Sequence, residues 1–145
     1  MVETNRLYPT QDWNEKRSEK YAFLSEYDTL FVKLDSLQLT IDEQFQRARQ
    51  RAFDGDYEIA RAIAKRILLR TPEYHDVQIL IGRTNAWQGN YEQAEMHFRK
   101  VLEEDEIYED TYNAYVDNEI WQSDYETALQ VIEQGLEHHP QSKSF

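Results

Sequence analysis

The chain contains no cysteine among its 145 residues. This excludes a thiol nucleophile, a disulfide and cysteine-held zinc. Glycine and proline number only 4 and 3, a scarcity that favours an ordered helical protein. Basic residues are also few, since 16 Lys and Arg oppose 28 Asp and Glu for a formal net charge of −12. Such a surface repels phosphate backbones and anionic lipid, so we expect no nucleic-acid partner.

Long hydrophobic runs are missing as well. No stretch approaches the ~20 apolar residues of a membrane-spanning helix, and residues 1–20 are too polar for the apolar region of a signal peptide. We therefore expect no direct membrane insertion by this segment. Removal of an export signal from a longer precursor would leave the same sequence, so these features do not determine the compartment.

What the chain does contain is a threefold internal repeat with a period of 34 residues. Five positions are identical in all three copies: Asp42/Asp76/Asp110, Tyr57/Tyr91/Tyr125, Glu58/Glu92/Glu126, Ala60/Ala94/Ala128 and Leu68/Leu102/Leu136. No gap is required anywhere. The predicted organisation is therefore an N-terminal region, 1–40, three repeats, 41–74, 75–108 and 109–142, and a C-terminal end, 143–145.

Each repeat is predicted to form two helices joined by a tight turn. In the second copy the break falls at Gly89, and Asn90 with Gln93 has the spacing of a helix cap. Thr40 and Glu43 form the same pattern at the head of the first repeat. Apolar residues at helical spacing then give each second helix one buried face.

This period and pattern resemble the tetratricopeptide repeat, a helix-turn-helix unit of 34 residues. Gly82 matches the small residue of that family, and Ala94 with Phe98 matches its alanine-x-x-x-phenylalanine step. The resemblance covers residues 41–142. It implies an all-α fold, a right-handed superhelical solenoid of three units, here with an N-terminal capping helix.

One departure from the family pattern concerns the large aromatic residue late in the first helix. At that position this chain has Arg51, Asn85 and Glu119. The aromatic residue comes two positions later, at Phe53, Trp87 and Trp121. A shift of two residues turns a side chain by about 200° around a helix.

The run over residues 82–94, echoed at 121–126, is similar to the repeat region of YaiO-type outer-membrane proteins. In that family an exported repeat domain precedes a C-terminal membrane β-barrel. The resemblance implies a module on the periplasmic side of the outer membrane, with the chain's own barrel domain as a candidate partner. A cytoplasmic location is the alternative.

The two ends depart from the repeat. Apolar spacing predicts a helix over 18–36 that caps the first repeat, followed by an extended connection through Leu37, Leu39 and Ile41. The third repeat has no polar cap after Ser142, although a solenoid normally hides its terminal apolar face. We expect either a truncated chain that natively continues or a face that binds something, with a homodimer as one candidate.

Residues suited to catalysis are scarce. The four histidines match no metal-binding motif, the acidic residues lack calcium-loop spacing, and no serine lies in a glycine-flanked nucleophile motif. The sequence also has no glycine-rich phosphate loop. We therefore expect no enzyme activity, no catalytic residues, no metal site and no cofactor.

A binding groove is better supported, because the first helices of tetratricopeptide repeats line a concave surface. Spacing along those helices selects ten candidate partner-binding residues: Phe45, Arg49, Phe53, Asp76, Ile79, Arg83, Trp87, Asn113, Asp117 and Trp121. Two alternatives stay open. The aromatic residues could fill helix junctions, and Arg49 and Arg83 could pair with Asp76 and Asp110 of the next repeat.

Charge is uneven along the repeats, which contain 7 basic and 6 acidic residues, then 3 and 7, then 0 and 8. A basic partner could be steered to the third repeat, or the charge could serve solubility alone. We expect a scaffold module that binds a peptide or protein segment in the groove. The alternatives are a carbohydrate-handling accessory of an exopolysaccharide export system and a cytoplasmic adaptor.

Overall fold

The structure is a computed structural model that describes residues 21–143. Every regular element in this range is an α-helix, which confirms the predicted all-α class. None of the helices in 21–143 combines the length and apolarity that spanning a bilayer requires. The chain divides into two compact units between Leu39 and Thr40.

The N-terminal unit is helical over residues 21–26, turns at Tyr27 and continues as α1, Asp28–Ser36. Phe31 and Leu34 are its buried residues. The ring of Phe31 meets that of Phe23 edge-on at 6.0 Å between centroids. The predicted helix over 18–36 is thus helical in its described part with one interruption, residues 18–20 lie outside the description, and its role as a cap stays a prediction.

The extended connection predicted through Leu37, Leu39 and Ile41 is wrong. Leu37 is the C-cap of α1 in a helical conformation, and Ile41 is already the first residue of α2. Gln38, between the two helices, has a φ of 53°. The alternating apolar residues therefore mark a helix end, a turn and a helix start rather than a strand.

Six helices follow in three pairs. They are α2 Ile41–Phe53 and α3 Tyr57–Arg70, α4 His75–Trp87 and α5 Tyr91–Glu104, and α6 Glu109–Trp121 and α7 Tyr125–His138. Corresponding helices begin 34 residues apart, in the register of the sequence repeat. Each helix packs against the next along the chain, and the first helices α4 and α6 also contact each other.

The caps follow the sequence only in part. Thr40 and Glu43 form the predicted reciprocal capping box. The Asn90 side chain makes no cap hydrogen bond, so that prediction is wrong. The turns between paired helices instead rely on a residue in the left-handed region, with φ of 86° at Gly55, 81° at Gly89 and 65° at Ser123.

The core depends on small residues where helices of one pair cross. Ala60, Ala94 and Ala128 are all buried at equivalent positions. In the second pair Phe98 packs directly on Gly82, where an added Cβ would lie 2.8 Å from the ring Cζ. Close packing of α4 against α5 therefore requires glycine at position 82.

Candidate functional site

A cavity of about 450 Å³ lies along the first helices of the three pairs. Its lining residues come from α2, α4 and the start of α6: Phe45, Arg49, Phe53, Asp76, Ile79, Leu80, Arg83, Trp87 and Asp110. Steps of three and four residues place such side chains on one side of each helix. We call this cavity the groove.

Seven of the ten predicted residues line the groove, and they are all those on α2 and α4. Asn113, Asp117 and Trp121, which lie further along α6, are not among its lining residues. The groove includes two residues outside the predicted set, Leu80 and Asp110. Asp110 lies on the same helical stripe as the three predicted α6 residues and is identical to Asp42 and Asp76 of the other repeats, whereas Leu80 is indistinguishable in sequence from a core residue.

Arg49 lies between two aromatic rings of its own helix. Its guanidinium carbon is 5.8 Å from the ring centroid of Phe45 and 5.9 Å from that of Phe53. Its hydrogen bond goes to Gln46, at 3.4 Å, and it makes no ion pair within residues 21–143. The rings thus hold an exposed cation in the groove without neutralising it.

Arg83, one repeat further on, is engaged differently. Its guanidinium lies 3.7 Å from a carboxylate oxygen of Asp117. The alternative that Arg49 pairs with Asp76 and Arg83 with Asp110 is therefore wrong. Arg83 pairs with Asp117 of α6 instead, and Arg49 stacks on two phenylalanine rings. The groove contains one neutralised and one unneutralised arginine.

Two of the three aspartates that are identical between the repeats accept a hydrogen bond from a tyrosine, which explains why they recur. Tyr74 and Tyr108 donate hydrogen bonds of 2.6 Å to Asp42 and Asp76 respectively. Burial and the accepting carboxylate raise the pKa of Tyr74 to about 12, and the same causes raise the pKa of Tyr108. Each bond ties the start of one first helix to the start of the next.

Asp110 lacks this partner, because the equivalent of the two tyrosines is Ser142. The Ser142 hydroxyl donates to Glu109 instead, at 2.6 Å. Within residues 21–143, Asp110 has no hydrogen-bond or ion-pair partner. The groove therefore presents an uncompensated carboxylate on α6 as well as an uncompensated guanidinium on α2.

The displaced aromatic residues are not core residues. Phe53 is 69% exposed and Trp121 is 45% exposed. Trp87 is half-buried, with the ring of Tyr57 at 6.0 Å between centroids. The interpretation that these residues fill helix junctions is therefore wrong for Phe53 and Trp121, whereas Trp87 packs between α3 and α4 as that interpretation expects.

In the second and third repeats, a buried polar residue occupies the position where the family has its aromatic residue, whereas Arg51 of the first repeat is exposed. Asn85 is buried and donates to the Ile81 carbonyl at 2.9 Å. Glu119 is 1% exposed and accepts hydrogen bonds from Asn118 and Gln122. Burial, followed by the nearby Glu95 carboxylate, raises the pKa of Glu119. Sequence reasoning gave Glu119 no role, since nothing in its neighbours distinguishes a buried glutamate from an exposed one.

The groove chemistry suits non-covalent recognition. A cation, aromatic rings and a carboxylate lie along one cavity, where they can contact an acidic, an apolar and a basic group of an extended ligand. Within residues 21–143, no three His, Asp or Glu side chains are grouped to hold a metal ion. Comparison of the chain with protein-family models and with curated proteins finds no match to either.

Proposed function

We propose that residues 41–142 form a tetratricopeptide-type, right-handed superhelical solenoid that binds a peptide or protein segment in the groove. Three helix pairs in a gapless 34-residue register support the fold. The close contact of Gly82 with Phe98, next to buried Ala94, supports it further, since these residues carry the resemblance.

The observation that carries the binding role is the uncompensated Arg49 beside exposed aromatic surface. A guanidinium fixed over two rings is oriented before a ligand arrives, which reduces the ordering cost of binding. An acidic side chain of a peptide could accept two hydrogen bonds from it. The exposed Phe53 ring and half-buried Trp87 offer apolar contact for a neighbouring side chain.

A displayed library of random peptides, followed by titration of the enriched sequences, tests this role. We expect Arg49→Gln and Trp87→Ala to weaken binding about tenfold or more each, the loss of one good contact. Arg51→Gln is the matched control, because Arg51 lies on the same helix, is exposed and pairs with Asp56 outside the groove. Enriched peptides that are indifferent to Arg49 and Trp87 would contradict the groove as the binding site.

Carbohydrate handling is the second candidate, and the exposed ring of Phe53 with the half-buried ring of Trp87 in one cavity favours it. Sugar rings stack on aromatic faces and carry no charge that requires Arg49. Oligosaccharides titrated against the same variants separate the two roles. Binding that Trp87→Ala abolishes and Arg49→Gln leaves intact would support the sugar ligand and count against the peptide.

We also propose a location on the periplasmic side of the outer membrane, which rests on the motif similarity of residues 82–94 alone. A cytoplasmic adaptor is the alternative. Cell fractionation of the native gene product, with sequencing of its mature N-terminus, decides between them. A cleaved export signal is incompatible with the adaptor.

A further inference from the structure

The starts of the three first helices lie side by side at one edge of the groove. Tyr74, the residue before α4, donates to Asp42 near the start of α2. Tyr108, the residue before α6, donates in the same way to Asp76 near the start of α4. α4 also contacts both α2 and α6. Equivalent residues of the three helices therefore lie at about the same height along the groove.

The two uncompensated charges of the groove, Arg49 and Asp110, differ in height and are two helices apart. Arg49 lies seven residues beyond Asp42, which is about 10 Å along the helix axis. Asp110 is at the height of Asp42, and two steps between neighbouring helices amount to about 16–20 Å. The guanidinium and the carboxylate are therefore separated by about 20 Å across the groove.

The line from Arg49 to Asp110 crosses α4 over apolar side chains. Ile79 and Leu80 lie three and four residues beyond Asp76, at a height midway between the two charges. Both line the groove. A ligand that follows this line meets a cation, an apolar floor and a carboxylate in that order.

The charged groove residues of α4 lie on either side of this line and already have partners. Asp76, on one side, accepts the hydrogen bond of Tyr108 at 2.6 Å. Arg83, on the other side, pairs with Asp117 at 3.7 Å. The strongest unmet interactions of the groove are therefore at the two ends of the line.

An extended peptide matches this separation with a definite number of residues. At about 3.3 Å per residue, a length of 20 Å corresponds to about six residues. Alternate residues of an extended chain point to the same side, so residues six apart share one face. The second and fourth residues after the first charge lie on that face as well, where they can contact the apolar floor.

We propose that the groove selects an extended segment in which an acidic and a basic residue are about six positions apart, with apolar residues at the two positions between them on the same face. The acidic side chain binds Arg49 and the basic side chain binds Asp110. Charge complementarity at both ends of one cavity provides the selection. This inference rests on the proposed peptide-binding function and adds to it the charges and their spacing.

The test uses short labelled peptides with blocked termini, which contain one glutamate, one lysine and two leucines among serines. In the first peptide glutamate and lysine are about six positions apart with the leucines between them on the same face, and in the second the charges are about three apart on opposite faces. Each is made with both orders of the two charges, because the order sets the direction of the bound chain. We expect the first peptide, in its better order, to bind at least about tenfold more tightly than the second in anisotropy titrations.

Asp110→Lys tests the second charged contact. It should weaken the first peptide about tenfold or more. It should also strengthen a peptide with glutamate at both charged positions, since both ends of the groove are then cationic. This gain of binding cannot arise from unfolding of the variant.

Glu126→Lys is the matched control. Glu126 is in the first turn of α7, as Asp110 is in the first turn of α6, and it is exposed outside the groove. Both substitutions place lysine at a helix start and change the net charge equally. Unspecific attraction would therefore affect both variants alike, whereas the proposal expects a change in Asp110→Lys alone.

The outcomes separate this inference from the function on which it rests. Peptides that require Arg49 and Trp87 but bind Asp110→Lys as well as the native chain would overturn the inference and leave the binding function intact. Absence of any peptide binding in the groove would remove both. Equal affinity for the two spacings, or equal effects of Asp110→Lys and Glu126→Lys, would also overturn the inference. A concentration-dependent dimer in sedimentation experiments that Asp110→Lys removes would make a second copy the occupant instead.

Discussion

Gly82 of α4 lies against Phe98 of α5, with the phenylalanine ring in the space that a side chain at position 82 would need. The equivalent pairs in the other repeats are Ala48 with Ala64, and Val116 with Ile132. The summed size of the two residues differs from repeat to repeat, and in the second repeat the lack of a side chain at position 82 leaves room for the Phe98 ring.

We expect Gly82→Val to lower the free energy of unfolding by about 3 kcal/mol, because the added atoms overlap the Phe98 ring. The double variant Gly82→Val/Phe98→Ile copies the third repeat and should recover a large part of that loss. Urea unfolding of both single variants and the double variant measures the coupling. Additive losses would show that the two positions do not share one space.

Ser123 is the non-glycine member of the three turn residues in the left-handed region, with a φ of 65°. Ser123→Gly should raise the free energy of unfolding by about 1 kcal/mol, since a side chain in this conformation is strained. Ser123→Ala keeps the strain and serves as the control. A gain shared by both variants, measured in urea, would point to loss of the hydroxyl rather than relief of the backbone.

Through Tyr74, we expect the stability of the fold to depend on pH in the alkaline range. Its pKa is raised from 10.0 to about 12, so the folded chain holds the phenol proton more tightly than the unfolded chain. The resulting stability is complete below pH 10 and is lost as the pH rises from 10 towards 12. We expect the urea midpoint of the native chain to fall more steeply across this window than that of Tyr74→Phe. Parallel curves would contradict the link to this hydroxyl.

Through His97, we expect stability to be lost in the acid range, as the pH falls. Burial, followed by repulsion from Lys65, Lys100 and Arg61, lowers its pKa from 6.5 to about 4. The unfolded chain therefore binds the proton first, and stability falls as the pH drops from 6.5 towards 4. His97→Gln cannot take up this proton and should show a shallower loss in thermal melts between these pH values. An unchanged slope would exclude His97 as the group responsible.

The helix pairs could be predicted from the sequence because a period without gaps repeats both their apolar faces and their breaks. The capping box of Thr40 and Glu43 could be predicted equally well, since it involves only residues three positions apart in the sequence. Asn90 has the same spacing but makes no cap bond, whereas Asp124 at the equivalent position of the third repeat accepts one from the Thr127 N–H. The extended connection predicted at Leu37 and Ile41 was wrong because apolar residues can also alternate over a few positions where one helix ends and the next begins.

The groove residues on α2 and α4 followed from helical spacing, but their partners did not. Arg49 stacks on rings of its own helix while Arg83 pairs with Asp117 of α6, although the two arginines occupy the same position of the repeat. Side-chain direction depends on three-dimensional neighbours that period alone does not specify. Burial of Glu119 is the clearest example, since its environment is assembled by packing rather than by adjacent residues.

The hydrogen bond between Asp76 and Tyr108 has both partners inside one 34-residue unit, 75–108. Genetic duplication of that unit would copy a complete donor and acceptor together, whereas a duplication that cut between them would separate the pair. The same holds for Asp42 and Tyr74 in the first unit. Lengthening by whole units therefore preserves this bond automatically, which gives such a chain a simple evolutionary path to different numbers of repeats.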